Sequence, residues 1–193
     1  MKYRPLPPLC LSLADREWPK TKITHTREIV RAIVVDHRNM GYFMCMDRDD
    51  EFGKARLIET AGGGVEPGES LEEALRRELL EELGARVEIL CPLGVVEDEY
   101  NLIGRHNVNH YYLCRLVAMG ENHLTRVERE SLHLSPWMLS LQDAAEEYRA
   151  NRAYPLGRLI AAREEPILRQ AMAVLGEEGT QEPSNADPCL PAK

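Results

Sequence analysis

Between Glu28 and Asp36 the chain reads EIVRAIVVD, an apolar, β-branched run with a single charged interruption. Such a run predicts a strand covered on both faces. Asp36–Gly41 then carries turn formers, and residues 42–46 (YFMCM) return as a second strand. Residues 47–54 (DRDDEFGK) are nearly all polar and predict a charged loop. Residues 56–60 predict a short strand leading into Gly62, Gly63 and Gly64. From Leu71 the apolar period lengthens. Leu71, Leu75, Leu79 and Leu83 recur four apart and mark the buried stripe of a helix. Ser70 and Glu73 have the spacing of a capping box, and Gly84 supplies the stop.

Beyond that helix, residues 87–97 and 110–118 read as strands, with 98–109 (DEYNLIGRHNVN) a loop or hairpin tip. Trp137 falls in an edge strand or turn. Residues 141–153 and 156–175 have helical spacing, with Pro166 expected to kink or split the second helix. Residues 1–22 hold several prolines and no period; they predict an arm that packs on the domain or on a second subunit. Residues 177–193 are rich in turn formers and poor in apolar residues, and disorder is expected there. Residues 23–176 remain as a single domain. Strands before and after a central helix, followed by terminal helices, predict an α+β fold rather than regular βαβ alternation.

The net charge of −8 gives no bulk attraction to nucleic acid or an anionic membrane, so neither is an expected partner. No run of eighteen apolar residues predicts a membrane span. The 5 cysteines are scattered, without CxxC or zinc-ligand spacing, as in a reduced, cytoplasmic protein.

The chemistry concentrates in residues 63–85, GGVEPGESLEEALRRELLEELGA. Glu78, Glu81 and Glu82 are related by i, i+3 and i, i+4, so they share one helical face. Like charges so placed repel by roughly 0.2–0.5 kcal/mol per pair. A divalent cation among them removes that repulsion, and hard cations such as magnesium join protein carboxylates to substrate phosphates.

Gly63, Glu69, Arg77-Glu78-Leu79, Glu81-Glu82, Gly84 and Ala85 together resemble the signature of the Nudix hydrolases: Gly-x5-Glu-x7-Arg-Glu-aliphatic-x-Glu-Glu-x-Gly-aliphatic. Only Ala85 departs, being smaller than the usual aliphatic residue, and that position concerns packing. The resemblance implies an α/β/α sandwich with a central mixed sheet. It also implies a metal-dependent pyrophosphohydrolase acting on a nucleoside diphosphate linked to a second group. Glu78, Glu81 and Glu82 are then the ligands of Mg2+ or Mn2+, with the Gly63 carbonyl as a further one. Arg77, paired with Glu69, orients the carboxylates. Family members often add a glutamate from a later loop, for which Glu128 and Glu130 are the candidates, Glu130 the better placed. Glu97, Asp98 and Glu99 form a second acidic group.

Gly63 and Gly64, Arg105 and His106 are candidate substrate contacts, the last two lying close to His110, Tyr111 and Tyr112. The turn AGGGVEPGE looks somewhat like that of ADP-ribose or nucleotide-sugar pyrophosphatases, some of which exchange N-terminal arms in homodimers. A regulatory module that binds a nucleotide without cleaving it is the competing reading.

Overall fold

The computed structural model describes residues 4–130 and 132–176. Its centre is a seven-stranded mixed sheet. The strands are β1 (Leu9–Leu13), β2 (His25–Val35), β3 (Gly41–Asp50), β4 (Gly53–Gly64), β5 (Ala85–Tyr100), β6 (Arg105–Met119) and β7 (Ser135–Leu139). Their order across the sheet is β1-β5-β6-β2-β4-β3-β7. β1 runs parallel to β5 and β2 parallel to β6, while the other neighbours are antiparallel. β2 also pairs with β3 through Val34 and Val35.

Helix α1 (Leu71–Leu83) covers one face. The opposite face carries α3 (Leu141–Asn151) and α4 (Pro155–Leu175), and a short α2 (Arg126–Glu130) precedes β7. This is the α/β/α sandwich that the family resemblance implies. Strand periodicity divides the core. Val30, Ala32 and Val34 of β2 pack with Ala74, Leu75, Leu79 and Leu83 of α1. Ile33 and Val35 turn to the other side and pack with Ile160, Ile167 and Leu168 of α4. The unbroken apolar run of β2 is thus explained by two buried faces.

Helix α1 starts and stops where its local signals place it. The Ser70 hydroxyl accepts the Glu73 N–H, the Glu73 carboxylate accepts the Ser70 N–H, and Gly84 ends the helix in the left-handed region, φ 67°. These contacts satisfy donors and carbonyls that a helix end otherwise leaves unpaired.

Three expectations need correction. Residues 47–54 are not a loop. They close a β3–β4 hairpin in which Asp47, Arg48, Asp49 and Asp50 face Arg56, Ala55, Lys54 and Gly53. Its end is exposed, so cross-strand charge pairs such as Asp49–Lys54, 3.8 Å, stand where apolar side chains would otherwise alternate. Residues 98–109 are mostly strand as well. β5 runs on to Tyr100, a single 3-10 turn spans Asn101–Ile103, and β6 starts at Arg105. The polar side chains there pack against one another, not against solvent. Finally, Pro166 does not split α4, which continues through it; Ile160, Ala161, Ile167 and Leu168 hold both halves against the sheet.

The arm also contributes to the sheet. Leu9–Leu13 lines up on Gly94–Asp98 of β5 as an edge strand. Trp18 follows and meets the Phe52 ring edge-on at 5.4 Å. Residues 177–193 lie outside the described residues. Among the described residues, no helix is long and apolar enough to cross a membrane.

Candidate active site

β4 delivers its three glycines alongside β2, with Gly62, Gly63 and Gly64 opposite Arg31, Val30 and Ile29. The glycines therefore end a strand; the turn comes after them. The backbone itself requires the first, whereas the other two leave room for the ends of neighbouring side chains. Gly62 has φ 140°, and a Cβ there would lie 2.0 Å from the Val30 carbonyl oxygen. A Cβ on Gly63 would fall 2.5–2.6 Å from the carboxylate atoms of Glu78, and one on Gly64 would fall 2.6 Å from the Arg27 guanidinium.

Helix α1 lays its acidic face against this bare backbone. Arg77 ties the face together. Its Nε and Nη2 donate to the two carboxylate oxygens of Glu69 at 2.8 and 2.9 Å. Its Nη1 donates to Glu78 at 2.8 Å and to Glu81 at 3.3 Å, and Nη2 also reaches the Gly64 carbonyl at 2.9 Å. One planar cation thus spans the turn, the helix and the end of β4. Hydrogen bonds from Arg77, then from the Glu66 N–H, hold the Glu69 carboxyl down at about 2, so it stays ionised as a partner for Arg77.

Glu82 sits apart from that lattice. It is buried, and its carboxylate accepts the Gly62 N–H at 2.8 Å. Burial pushes its pKa up to about 8, opposed by the Gly62 hydrogen bond and reinforced by the charge of Glu59. A buried carboxylate so destabilised in its charged form favours a cation beside it. The donors here are all oxygens, and the Glu78 carboxylate lies directly on the Gly63 backbone. This set fits a hard divalent ion. Among the described residues, no three acidic, histidine or cysteine side chains stand close enough together to hold an ion by themselves, so binding requires the carboxylates to draw together or backbone oxygens to contribute.

Other candidates are less well joined to this group. Glu130 pairs with Arg126 of its own short helix at 2.7 Å, on an exposed surface. The side chain of Glu128 lies outside the described residues. Arg105 and His106 do not act as neighbours, because strand alternation sends them to opposite faces of β6. His106 lies 3.5 Å from Glu97, and His110 lies 2.6 Å from Glu28. Arg105 stacks on Tyr100, 5.2 Å from the ring centroid.

Sequence reasoning missed the polar layer on the α3/α4 side of the sheet. Asp98 accepts from Asn107 at 2.9 Å, from Asn109 at 3.0 Å and from Arg163 at 3.1 Å. Glu59 bridges Arg31 and Arg163 at 3.2 and 3.3 Å. Glu164 accepts from the Thr60 N–H and hydroxyl and from the hydroxyls of Tyr111 and Tyr148. The available signal was the pair Asn107 and Asn109, two apart and so on one face of one strand.

A family model described as the NUDIX domain matches residues 26–159. The nucleoside triphosphatase NudI of Enterobacter sp. (strain 638) is 46% identical over 63 residues, covering 33% of this chain and 43% of that protein. Its Escherichia coli (strain K12 / DH10B) namesake is 50% identical over 46 residues, covering 24% and 33%. The chain thus spans less than half the length of these curated relatives. Among solved structures, a NUDIX hydrolase from Nitrosomonas europaea superposes with a TM-score of 0.56 at 18% identity, covering 74% of this chain and 88% of the other. The E. coli ORF135 protein superposes with 0.54 at 25% identity, covering 81% and 95%.

Proposed function

Because the chain belongs to the Nudix hydrolase family, we propose that it is a metal-dependent pyrophosphohydrolase that splits the diphosphate of a nucleoside diphosphate linked to a second group. The observation that carries this reading is the pairing of a buried Glu82 with a Glu78 carboxylate laid on the bare Gly63 backbone. These two, with Glu81 and the Gly63 carbonyl, would hold the cation. When bound, magnesium or manganese neutralises charge on the phosphates and lowers the pKa of a water. Arg77 keeps the carboxylates of Glu69, Glu78 and Glu81 in register, so that they need little rearrangement when substrate arrives. A carboxylate of the acidic face takes the proton from the attacking water. Attack at phosphorus then releases two phosphorylated products.

A nucleoside triphosphate is the second reading of the substrate, supported by the name of the NudI relatives. ADP-ribose or a nucleotide sugar is favoured by the AGGGVEPGE turn. The deciding experiment is a substrate panel with product identification in magnesium and in manganese. It should include ADP-ribose, nucleotide sugars, dinucleoside polyphosphates, and ordinary and oxidised nucleoside triphosphates. Metal-dependent release of two phosphorylated products from a diphosphate-linked nucleotide is the expected result. Binding without turnover across the whole panel would favour the regulatory module instead.

A further inference from the structure

The backbone at Gly63 and Gly64 is a thin wall between opposite charges. On the α1 side it touches the Glu78 carboxylate, where a Gly63 Cβ would lie 2.5 Å from the carboxyl carbon. On the other side the exposed Arg27 side chain brings its guanidinium against Gly64, with Nη2 and Nε at 2.6 and 2.8 Å from the position of the missing Cβ. Arg27 belongs to β2, in parallel register with β6, where its Cα partner is Asn107 and Arg105 pairs with His25. Arg27, Arg105 and Asn107 therefore point to the same face of the sheet.

Neither arginine forms an ion pair among the described residues, although acidic side chains outnumber basic ones in the chain, 32 to 24. The Arg105 Nε–H is buried without a hydrogen-bond partner. Burial first, and then the nearby charge of Arg27, depress the pKa of Arg105. Two neighbouring cations that form no ion pair, one exposed and one with a buried Nε–H left without an acceptor, describe a site that can take an anion.

We propose that Arg27 and Arg105 form an anion clamp, taking the substrate phosphate that lies across the Gly63–Gly64 wall from the metal-binding carboxylates. The inference rests on the pyrophosphohydrolase reading for its substrate, and the ligand class is a diphosphate. One phosphate faces Glu78 and Glu82 through the cation. The next rests on the guanidinium fork of Arg27, with Arg105 closing from β6. Gly64 is bare so that Arg27 can reach this position.

The test separates the clamp from the chemistry by working first without metal. Binding of inorganic pyrophosphate and of ADP-ribose is measured by calorimetry in EDTA for the wild type and for Arg27→Ala, Arg27→Lys, Arg105→Ala and Gly64→Ala, with each fold checked by its melting temperature. Arg27→Ala should weaken pyrophosphate binding roughly tenfold or more, the scale of charge-assisted hydrogen bonds. Arg27→Lys should restore part of it. Gly64→Ala keeps every charge but displaces the arginine, and should also weaken binding.

In magnesium, Arg27→Ala should raise KM more than it lowers kcat. Wild-type pyrophosphate affinity in Arg27→Ala, or no binding by the wild type in EDTA, would overturn the clamp. The predicted losses in EDTA with no turnover by the wild type in metal would support the clamp and sink the hydrolase reading. Turnover with an unchanged KM in Arg27→Ala would do the reverse.

Discussion

Replacing Glu82 by glutamine removes a charge and almost no volume, so it isolates what the buried carboxylate costs. In the metal-free protein, burial raises the Glu82 pKa from 4.5 to about 8. The folded state then binds this proton more tightly than the unfolded chain does. Stability must fall as the pH rises from about 4.5, where the unfolded chain ionises, to about 8, where the folded one does, and level off above. Full ionisation costs up to about 5 kcal/mol, an upper bound because the side chain can swing out to water. That is a large part of a typical 5–15 kcal/mol of total stability, taken as roughly that range.

Glu82→Gln has no proton to lose, so its stability should stay nearly flat across the same window. Magnesium should recover much of the wild type's loss above pH 8, because a bound cation favours the ionised form. It should do so far less for the variant. Urea unfolding at pH 5, 6, 7, 8 and 9, in EDTA and in magnesium, reads all of this directly. Turnover of the variant should drop by orders of magnitude with the fold intact. If wild type and variant lose stability in parallel from pH 5 to pH 9 in EDTA, the buried-carboxylate argument is wrong.

Three further outcomes follow from other contacts. Arg77→Ala should weaken magnesium dependence of activity about 10- to 100-fold, as loss of a carboxylate-orienting partner does; Arg77→Lys should recover little, because it cannot reach Glu69 with two donors while also bonding Glu78, and equal metal titration curves for all three proteins would refute the role. Glu164→Gln breaks the buried lattice of Arg163, Thr60, Tyr111 and Tyr148, and should cost about 3–5 kcal/mol in urea unfolding; a change under about 1 kcal/mol would show the lattice to be dispensable. Ser70→Ala removes the helix cap and should cost about 1 kcal/mol, with little effect on turnover.

The features the sequence disclosed are those with local causes. Helix α1 announced itself because its cap, apolar stripe and stop lie within fifteen or so consecutive positions, and each acts on its nearest neighbours. The acidic face was legible for the same reason, since helical geometry alone brings Glu78, Glu81 and Glu82 together. The β3–β4 hairpin end was hidden because an exposed ribbon needs only its backbone ladder, and Asp47–Asp50 could be polar on both faces. The stretch from Asp98 to Asn109 was hidden for the opposite reason. Its polar side chains are buried, and the partners that make burial tolerable, Arg163 on α4 and Arg31 on β2, are remote in sequence. Hydrophobic periodicity cannot register a strand whose inward residues are asparagine and aspartate. Arg27 escaped notice because its relation to Gly64 exists only once β2 and β4 are side by side.

The parallel pairing of β2 with β6 has a bearing on how the chain is made. The contact from Thr24 to Gly104 that begins this alignment closes 80 residues. At ribosomal speeds of roughly 5–20 residues per second, β2 waits about 4–16 s for its partner to be synthesised. Throughout that interval the oily segment from Val30 to Val35 is without its final neighbour on that side. A nascent chain stalled before residue 105 should therefore be a favoured client for chaperones, whereas one released past residue 175, with α4 complete, should be able to bury both faces of this strand by itself.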